Sequence, residues 1–211
     1  MKKIDTTLYF ITDSTPYNEE EFLERVEKAL SGGVTIMQLR EKDRTTREYI
    51  SLAEKVHSIA QKYKVPLIID DRTDVALAVG AEGVHLGQSD MPIDTARKIV
   101  GDKMIIGATT KTVGQALEAC KNGADYLGVG AIYPTTTKVK TVLTSVDTLK
   151  DIVKAVSVPV NAIGGLNKDN IDVLKGSGIS GICAVSAIMK ADDPQTAARE
   201  LKQAFLSMHN S

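Results

Sequence analysis

A chain of 211 residues with 25% charged residues and a formal net charge of -1 is long enough for one sizeable core, in one large domain or two small ones. The near-neutral balance without a basic run argues against a nucleic-acid surface, and the absence of tryptophan leaves little for stacking bases. No apolar stretch reaches the ~20 residues of a membrane-spanning helix, and Met1-Lys2-Lys3-Ile4-Asp5 turns polar too soon for a signal peptide, so a cytoplasmic protein is expected.

In chain order, Leu8 to Thr12 reads as a first strand, and Glu19 to Leu30 as a helix with Phe22, Leu23, Val26, Ala29 and Leu30 on one face, stopped by Ser31-Gly32-Gly33. Val34 to Leu39 is a second strand, and Thr45 to Tyr63 a long amphipathic helix. Val65 to Ile69 is a third strand running into Asp70-Asp71, followed by a short helix from Thr73 to Val79. Gly83 to Leu86 is the fourth strand. Pro92 suits the first turn of the helix Ile93 to Val100. Met104 to Gly107, Asp125 to Val129, Val158 to Ile163 and Gly181 to Val185 are the remaining strands. The helices between and after them run from Val113 to Lys121, Val146 to Val156, Asp169 to Leu174 and Pro194 to Leu206, and a longer loop spans Gly130 to Thr144. Cys120 and Cys183 lie far apart without a CxxC partner and read as free thiols.

Strands and helices that alternate in this way imply a parallel sheet with helices outside it. The repeat predicts an α/β fold, a single-domain (β/α)8 TIM barrel over residues 1–211, somewhat short of the ~250 residues typical of that fold. A doubly wound open sheet is the alternative, but Thr12-Asp13-Ser14 follows the first strand where such a sheet usually carries GxGxxG.

In a (β/α)8 barrel the active site lies at the carboxyl ends of the strands, and here those ends are polar. Side chains alternate along a strand, so Gln38, Arg40 and Lys42 leave the second strand on one face. Two cations with no acidic partner at the same spacing suit a phosphate or diphosphate, although a solvated strand end with snorkelling bases is equally open from this stretch alone. Asp71 and Asp90 end neighbouring strands, within reach of one ion, and two carboxylates with phosphate oxygens and waters are how Mg²⁺ is usually held. Asp is also a common helix cap. Gly164-Gly165 and Val185-Ser186, each just before a helix, suit a phosphate cup of backbone N–H groups after strands seven and eight, whereas a plain tight turn is the simpler alternative. Thr135-Thr136-Thr137-Lys138 lies in the longer loop. His85 reads as a packed or hydrogen-bonded core residue, and His57 and His209 as solvated. No arrangement suggests a covalent nucleophile.

The segments Gln38-Leu39-Arg40-Glu41-Lys42, Asp70-Asp71-Arg72, Gly83 to Asp90, Thr135 to Lys138, Ala162-Ile163-Gly164-Gly165 and Val185-Ser186-Ala187-Ile188 together resemble the thiamine phosphate synthase family over nearly the whole chain. The resemblance implies a TIM-barrel transferase of thiamine biosynthesis that joins a hydroxymethylpyrimidine diphosphate to a thiazole phosphate and releases pyrophosphate. It implies that Gln38, Leu39, Arg40, Glu41, Lys42, Asp70, Thr109 and Lys138 contact the pyrimidine diphosphate, with Arg40, Lys42 and Lys138 as the catalytic cations. It implies that Thr135, Thr136, Thr137, Gly164, Gly165, Val185 and Ser186 hold the thiazole phosphate, and that Asp71 and Asp90 hold Mg²⁺. The expected partners are phosphorylated small molecules, with no nucleic acid and no membrane, and homo-oligomerisation is left open.

The chain departs from the family pattern at Asp70, often Asn, at Thr109, usually Ser, and at Ala131, often Pro. It also reads Lys138-Val139-Lys140-Thr141 where Lys-Lys-Asp-Thr is common. The related thiazole tautomerase shares the barrel and the phosphate cup but needs neither the paired carboxylates nor the full set of cations. A non-catalytic barrel that senses a phosphorylated ligand is a further alternative.

Overall fold

Short apolar strands rich in β-branched residues hold together only when both of their faces are covered. In the computed structural model, which describes residues 4–135 and 142–209, this requirement is met by closure. The strands are β1 (Leu8–Ile11), β2 (Ile36–Leu39), β3 (Leu67–Asp70), β4 (Gly83–Leu86), β5 (Ile105–Thr110), β6 (Tyr126–Gly130), β7 (Val160–Ile163) and β8 (Gly181–Ala184). Each pairs in parallel with its sequence neighbour, and β8 returns to β1 through Leu8↔Ile182 and Tyr9↔Cys183, which completes a (β/α)8 barrel. Around it lie α1 (Glu19–Ser31), α2 (Thr46–Lys62), α3 (Thr73–Val79), α4 (Ile93–Val100), α5 (Val113–Lys121), α6 (Val146–Ala155), the short α7 (Ser186–Met189) and α8 (Pro194–His209).

Alternation along each strand divides the apolar residues into two groups. Phe10, Met37, Leu39, Ile69, Leu127 and their like point outward and pack with the buried helix faces in one large core. Tyr9, Ile11, Ile36, Ile68, Ile105, Tyr126 and Cys183 point inward and fill the barrel. Helix starts are fixed by side-chain caps: Asn18 accepts from the Glu21 N–H, Thr45 and Glu48 form a capping box, and Ser145 accepts from the Thr148 N–H. Among the described residues, no helix is long and apolar enough to cross a membrane, and both cysteines are free thiols.

The structure differs from the sequence reading in a few places. Strand β5 runs three residues further, to Thr110, because its ladder with β6 continues through Thr110↔Val129. The helix expected over Asp169 to Leu174 is a 3-10 turn, Ile171–Leu174. Just before it, Asn167 accepts from the Asp169 N–H and Asn170 accepts from the Asn167 N–H, both at 2.9 Å, and these local bonds compete with helix. His57 is buried rather than solvated. Its Nε2 lies 3.1 Å from Glu82 Oε1, while Glu82 Oε2 accepts the Leu67 N–H at 2.8 Å, so the pair ties α2 to the start of β3.

The barrel closes over a tight seam. Asn161 Nδ2 donates to the Thr6 carbonyl at 2.7 Å, and a Cβ at Gly181 would stand 1.8 Å from that carbonyl oxygen. Neither backbone can yield without opening the β8–β1 ladder. The Gly181→Ala variant is expected to lose about 1–3 kcal/mol of stability, seen as a lower melting temperature by circular dichroism. An unchanged melting temperature would show that the seam has slack.

Candidate active site

Gln38 is an inward residue of β2, which ends at Leu39, and Arg40 and Lys42 follow beyond the strand at the carboxyl-end rim, so alternation along the strand accounts for Gln38 alone. No acid stands at the same spacing along the chain, but the two cations do have acidic partners from elsewhere. Lys42 Nζ lies 2.6 Å from Asp70 Oδ2 and bonds Asp71, and Arg40 Nε lies 3.9 Å from Asp70 Oδ2. The carboxylates come from the neighbouring strand, through a β2–β3 register that spacing along one strand does not reveal.

Asp71 adopts φ 60°, a left-handed conformation that Asp tolerates better than most residues, and its N–H donates to the His85 carbonyl at 2.8 Å. That kink directs its side chain to Asp90, whose Oδ2 also accepts the Gly87 N–H at 2.7 Å. Two carboxyl groups in hydrogen-bond contact need a proton or a cation between them. Burial, followed by the hydrogen bond to Asp71, raises the Asp90 pKa. Burial opposes the Asp71 charge, but bonds from Lys42 and Asp90 outweigh it and hold its pKa low. For Lys42, burial disfavours the charge, yet Asp70 and Asp71 raise its pKa overall. Asp70, almost wholly buried and beside Asp71, is pushed up to about 6.

Among the described residues, no cluster of three or more His, Cys, Asp or Glu side chains could enclose a metal ion. Two converging carboxylates open to added ligand oxygens are the donor set that suits Mg²⁺, which keeps water or phosphate in its remaining positions.

Of the other expected site residues, Gln38 is buried and donates to Tyr9 Oη at 2.8 Å, and Thr109 Oγ1 lies 2.9 Å from His85 Nε2. The Leu39 side chain faces the helices, and its carbonyl accepts from Tyr49 Oη at 2.7 Å, so the side chain is turned away from the rim. Glu41 is turned towards Ser14 and Arg44, with Oε2 at 2.9 Å from each, beside a cavity of about 460 Å³ that also reaches Arg40 and Lys42. Gly164 and Gly165 have φ of 106° and 64°. A Cβ on them would stand 2.4 Å from the Ala131 Cβ and 2.7 Å from the Tyr133 Cβ, so glycine is required there sterically. Their carbonyls are tied by the Tyr133 N–H and Asn170 Nδ2. Val185 and Ser186 follow the adjacent strand and open α7, and Thr135 is half-buried in the loop after β6. Thr136, Thr137 and Lys138 lie outside the described residues. Sequence reasoning missed Tyr9 and Tyr126, whose hydroxyls meet at 2.6 Å inside the barrel. Their inward parity was countable, but nothing along either strand indicated the other.

A closed parallel barrel with cations, carboxylates and a glycine turn at its strand ends falls in the class of (β/α)8 enzymes. The family model described as thiamine monophosphate synthase matches residues 8–188. Thiamine-phosphate synthase 2 of Streptococcus pneumoniae is 51% identical over 204 residues, covering 96% of this chain and 95% of that protein. Thiamine-phosphate synthase of Clostridium beijerinckii is 49% identical over 206 residues, covering 98% and 99%. The solved thiamine phosphate pyrophosphorylase from Pyrococcus furiosus superposes with a TM-score of 0.87 at 41% identity, covering 96% of each chain. The chain belongs to the thiamine monophosphate synthase family. Its activity is that of a thiamine-phosphate synthase, a transferase of thiamine biosynthesis.

The raised Asp70 pKa has a consequence for folding. Between the ordinary 3.8 and about 6, the folded protein holds a proton that the unfolded chain releases. Stability from this group is therefore full below 3.8 and is lost as pH rises through about 6. The Asp70→Asn variant removes this loss. In metal-free buffer, the parent's melting temperature is expected to fall relative to the variant's across that window, by the equivalent of about 1–3 kcal/mol. A parent-to-variant difference that stays constant with pH would exclude the raised pKa.

Proposed function

We propose that the rim condenses 4-amino-2-methyl-5-(diphosphooxymethyl)pyrimidine with a thiazole ethyl phosphate to give thiamine phosphate and pyrophosphate by a dissociative route, with carbon dioxide as a further product where the thiazole carries a carboxylate. The observation that carries this reading is the contact of Asp71 and Asp90 beside Lys42, at the ends of three adjacent strands.

In this reading Arg40 and Lys42 bind the diphosphate. Lys42 exchanges its bonds to Asp70 and Asp71 for diphosphate oxygens, and Lys138 adds a third positive charge from the loop after β6. Gln38, Asp70 and Thr109 orient the pyrimidine ring. Asp71 and Asp90 fit Mg²⁺ as carboxylate ligands, and the bound ion would neutralise the diphosphate as it leaves. The methylene–oxygen bond breaks first, and the amino-substituted ring tolerates the resulting cation. Thr135, Thr136, Thr137, Gly164, Gly165, Val185 and Ser186 hold the thiazole phosphate so that the ring nitrogen stands behind the carbon. The chain's own work is then charge neutralisation in a half-buried site and positioning, and no side chain needs to remove a proton.

The test is release of pyrophosphate when the protein is mixed with both substrates and Mg²⁺. Product is expected only with both substrates present, and its absence would leave the barrel as a binding protein or a tautomerase. The Asp90→Ala variant is expected to need roughly tenfold or more Mg²⁺ for half-maximal rate, as loss of a metal ligand commonly requires. A magnesium titration that overlays the parent's would remove Asp90 from the metal site.

A further inference from the structure

Inside the barrel, four hydrogen bonds run in series from Gln38 to Thr109. Gln38 Nε2 meets Tyr9 Oη at 2.8 Å, Tyr9 Oη meets Tyr126 Oη at 2.6 Å, Tyr126 Oη meets His85 Nδ1 at 3.0 Å, and His85 Nε2 meets Thr109 Oγ1 at 2.9 Å. They cross the interior between β2 and β5, and both tyrosines are completely buried. We propose that this series has one direction, that it places the ring proton of His85 on Nε2, and that it thereby sets the Thr109 hydroxyl as a hydrogen-bond donor away from His85 at the carboxyl-end rim.

The direction follows from counting protons. A phenol has one proton to give, and a buried hydroxyl that gives it to nothing loses most of what the bond is worth. Tyr9 accepts from the Gln38 amide, so its own proton goes to Tyr126. Tyr126 accepts that proton's bond, so its own proton goes to His85 Nδ1. An Nδ1 that accepts leaves the ring proton on Nε2, which donates to Thr109. The Thr109 oxygen is then an acceptor inside the barrel, and its proton is directed away from His85. The same order keeps one Gln38 N–H committed to Tyr9, so both ends of the series have a fixed polarity. Bonds in such a series polarise one another. Both phenols also stay protonated over a wide pH range, because burial raises their pKa values well above the ordinary one.

The space for this contact is set aside by a glycine. Gly107 pairs with His85 on one side and Tyr126 on the other. A Cβ there would stand 2.2 Å from Tyr126 Oη and 2.6 Å from His85 Nδ1. Tyr9, Tyr126 and His85 are thus positioning residues. They act through Thr109 and Gln38 on the ring that the proposed function places there, and the functional half of the inference rests on that reading.

The tautomer can be read without any substrate. Nitrogen NMR of the ligand-free protein with labelled histidine is expected to show His85 protonated at Nε2 and bare at Nδ1 near neutral pH. A proton on Nδ1, or on both nitrogens, overturns the direction whatever the protein catalyses.

For the functional half, Tyr126→Phe removes one hydroxyl and keeps the ring. It is expected to lower kcat/KM for the pyrimidine diphosphate roughly tenfold, the scale of one misdirected hydrogen bond, and to leave the KM for the thiazole phosphate unchanged. In a Thr109→Ser background, which keeps the hydroxyl, the same loss is expected. In a Thr109→Val background no further loss is expected, because the group through which the series acts is gone. Equal losses in the Ser and Val backgrounds overturn the inference and leave Tyr126 a packing residue. If Tyr126→Phe fails to fold, the NMR measurement still decides the direction, and Thr109→Val against Thr109→Ser reads the functional half: only the Val variant is expected to lose kcat/KM for the pyrimidine diphosphate, and an equal loss in both overturns it. Absence of pyrophosphate release by the parent would instead sink the proposed function, with the tautomer still decided by NMR.

Discussion

Alternation of side chains along eight closed parallel strands is the constraint from which the rest of this molecule follows. Each strand sends one set of residues out to the helices and the other into a space that must be filled without voids. Tyrosine, isoleucine and cysteine fill it below, and polar groups replace them as the strands reach their carboxyl ends. Gln38, Asp70 and Thr109 are therefore inward residues of the same kind as Ile36, Ile68 and Ile105, one or two steps further along. The change from core to chemistry is a matter of position on the strand.

Among the described residues, the charged groups of the rim already face one another before any ligand arrives. Lys42 is shared by two carboxylates, and a third shares a hydrogen bond with one of them. Such a group is held at some expense, because buried charges lose water and like charges face one another. Incoming ligands that bring both negative oxygens and a divalent cation would relieve both problems, since each side of the cluster would gain a partner of opposite sign. This is why the Asp71–Asp90 contact supports a metal-assisted diphosphate chemistry better than either residue does alone.

Much of this was legible in the sequence. The apolar runs marked the strands, and the end of the second strand marked Gln38, Arg40 and Lys42 as rim residues, although Arg40 and Lys42 lie beyond β2. What spacing could not supply was anything set by register between strands. The acids that hold Lys42 come from β3, the partner of Tyr9 comes from β6, and His57 is buried because Glu82 reaches it from another element. His85 was read correctly as a hydrogen-bonded core residue, but its link to Thr109 depends on β4–β5 pairing, which only the folded chain displays. The 3-10 turn after β7 escaped for a different reason: two asparagines offer the backbone local bonds that periodicity does not register.

The Gly164–Gly165 turn does not stand alone. The Ile132 N–H donates to the Ile163 carbonyl at 2.9 Å and the Tyr133 N–H to the Gly164 carbonyl at 3.0 Å, so the β6–β7 ladder is extended past both strands into their loops. The segment leading to Thr135 and the glycine turn are accordingly one mechanical piece, clamped face to face with room for no added methyl group. Evolutionary drift on either side would have to be matched on the other. Ala131 is the side chain against which Gly164 rests, and so is where compensating substitutions would first be felt.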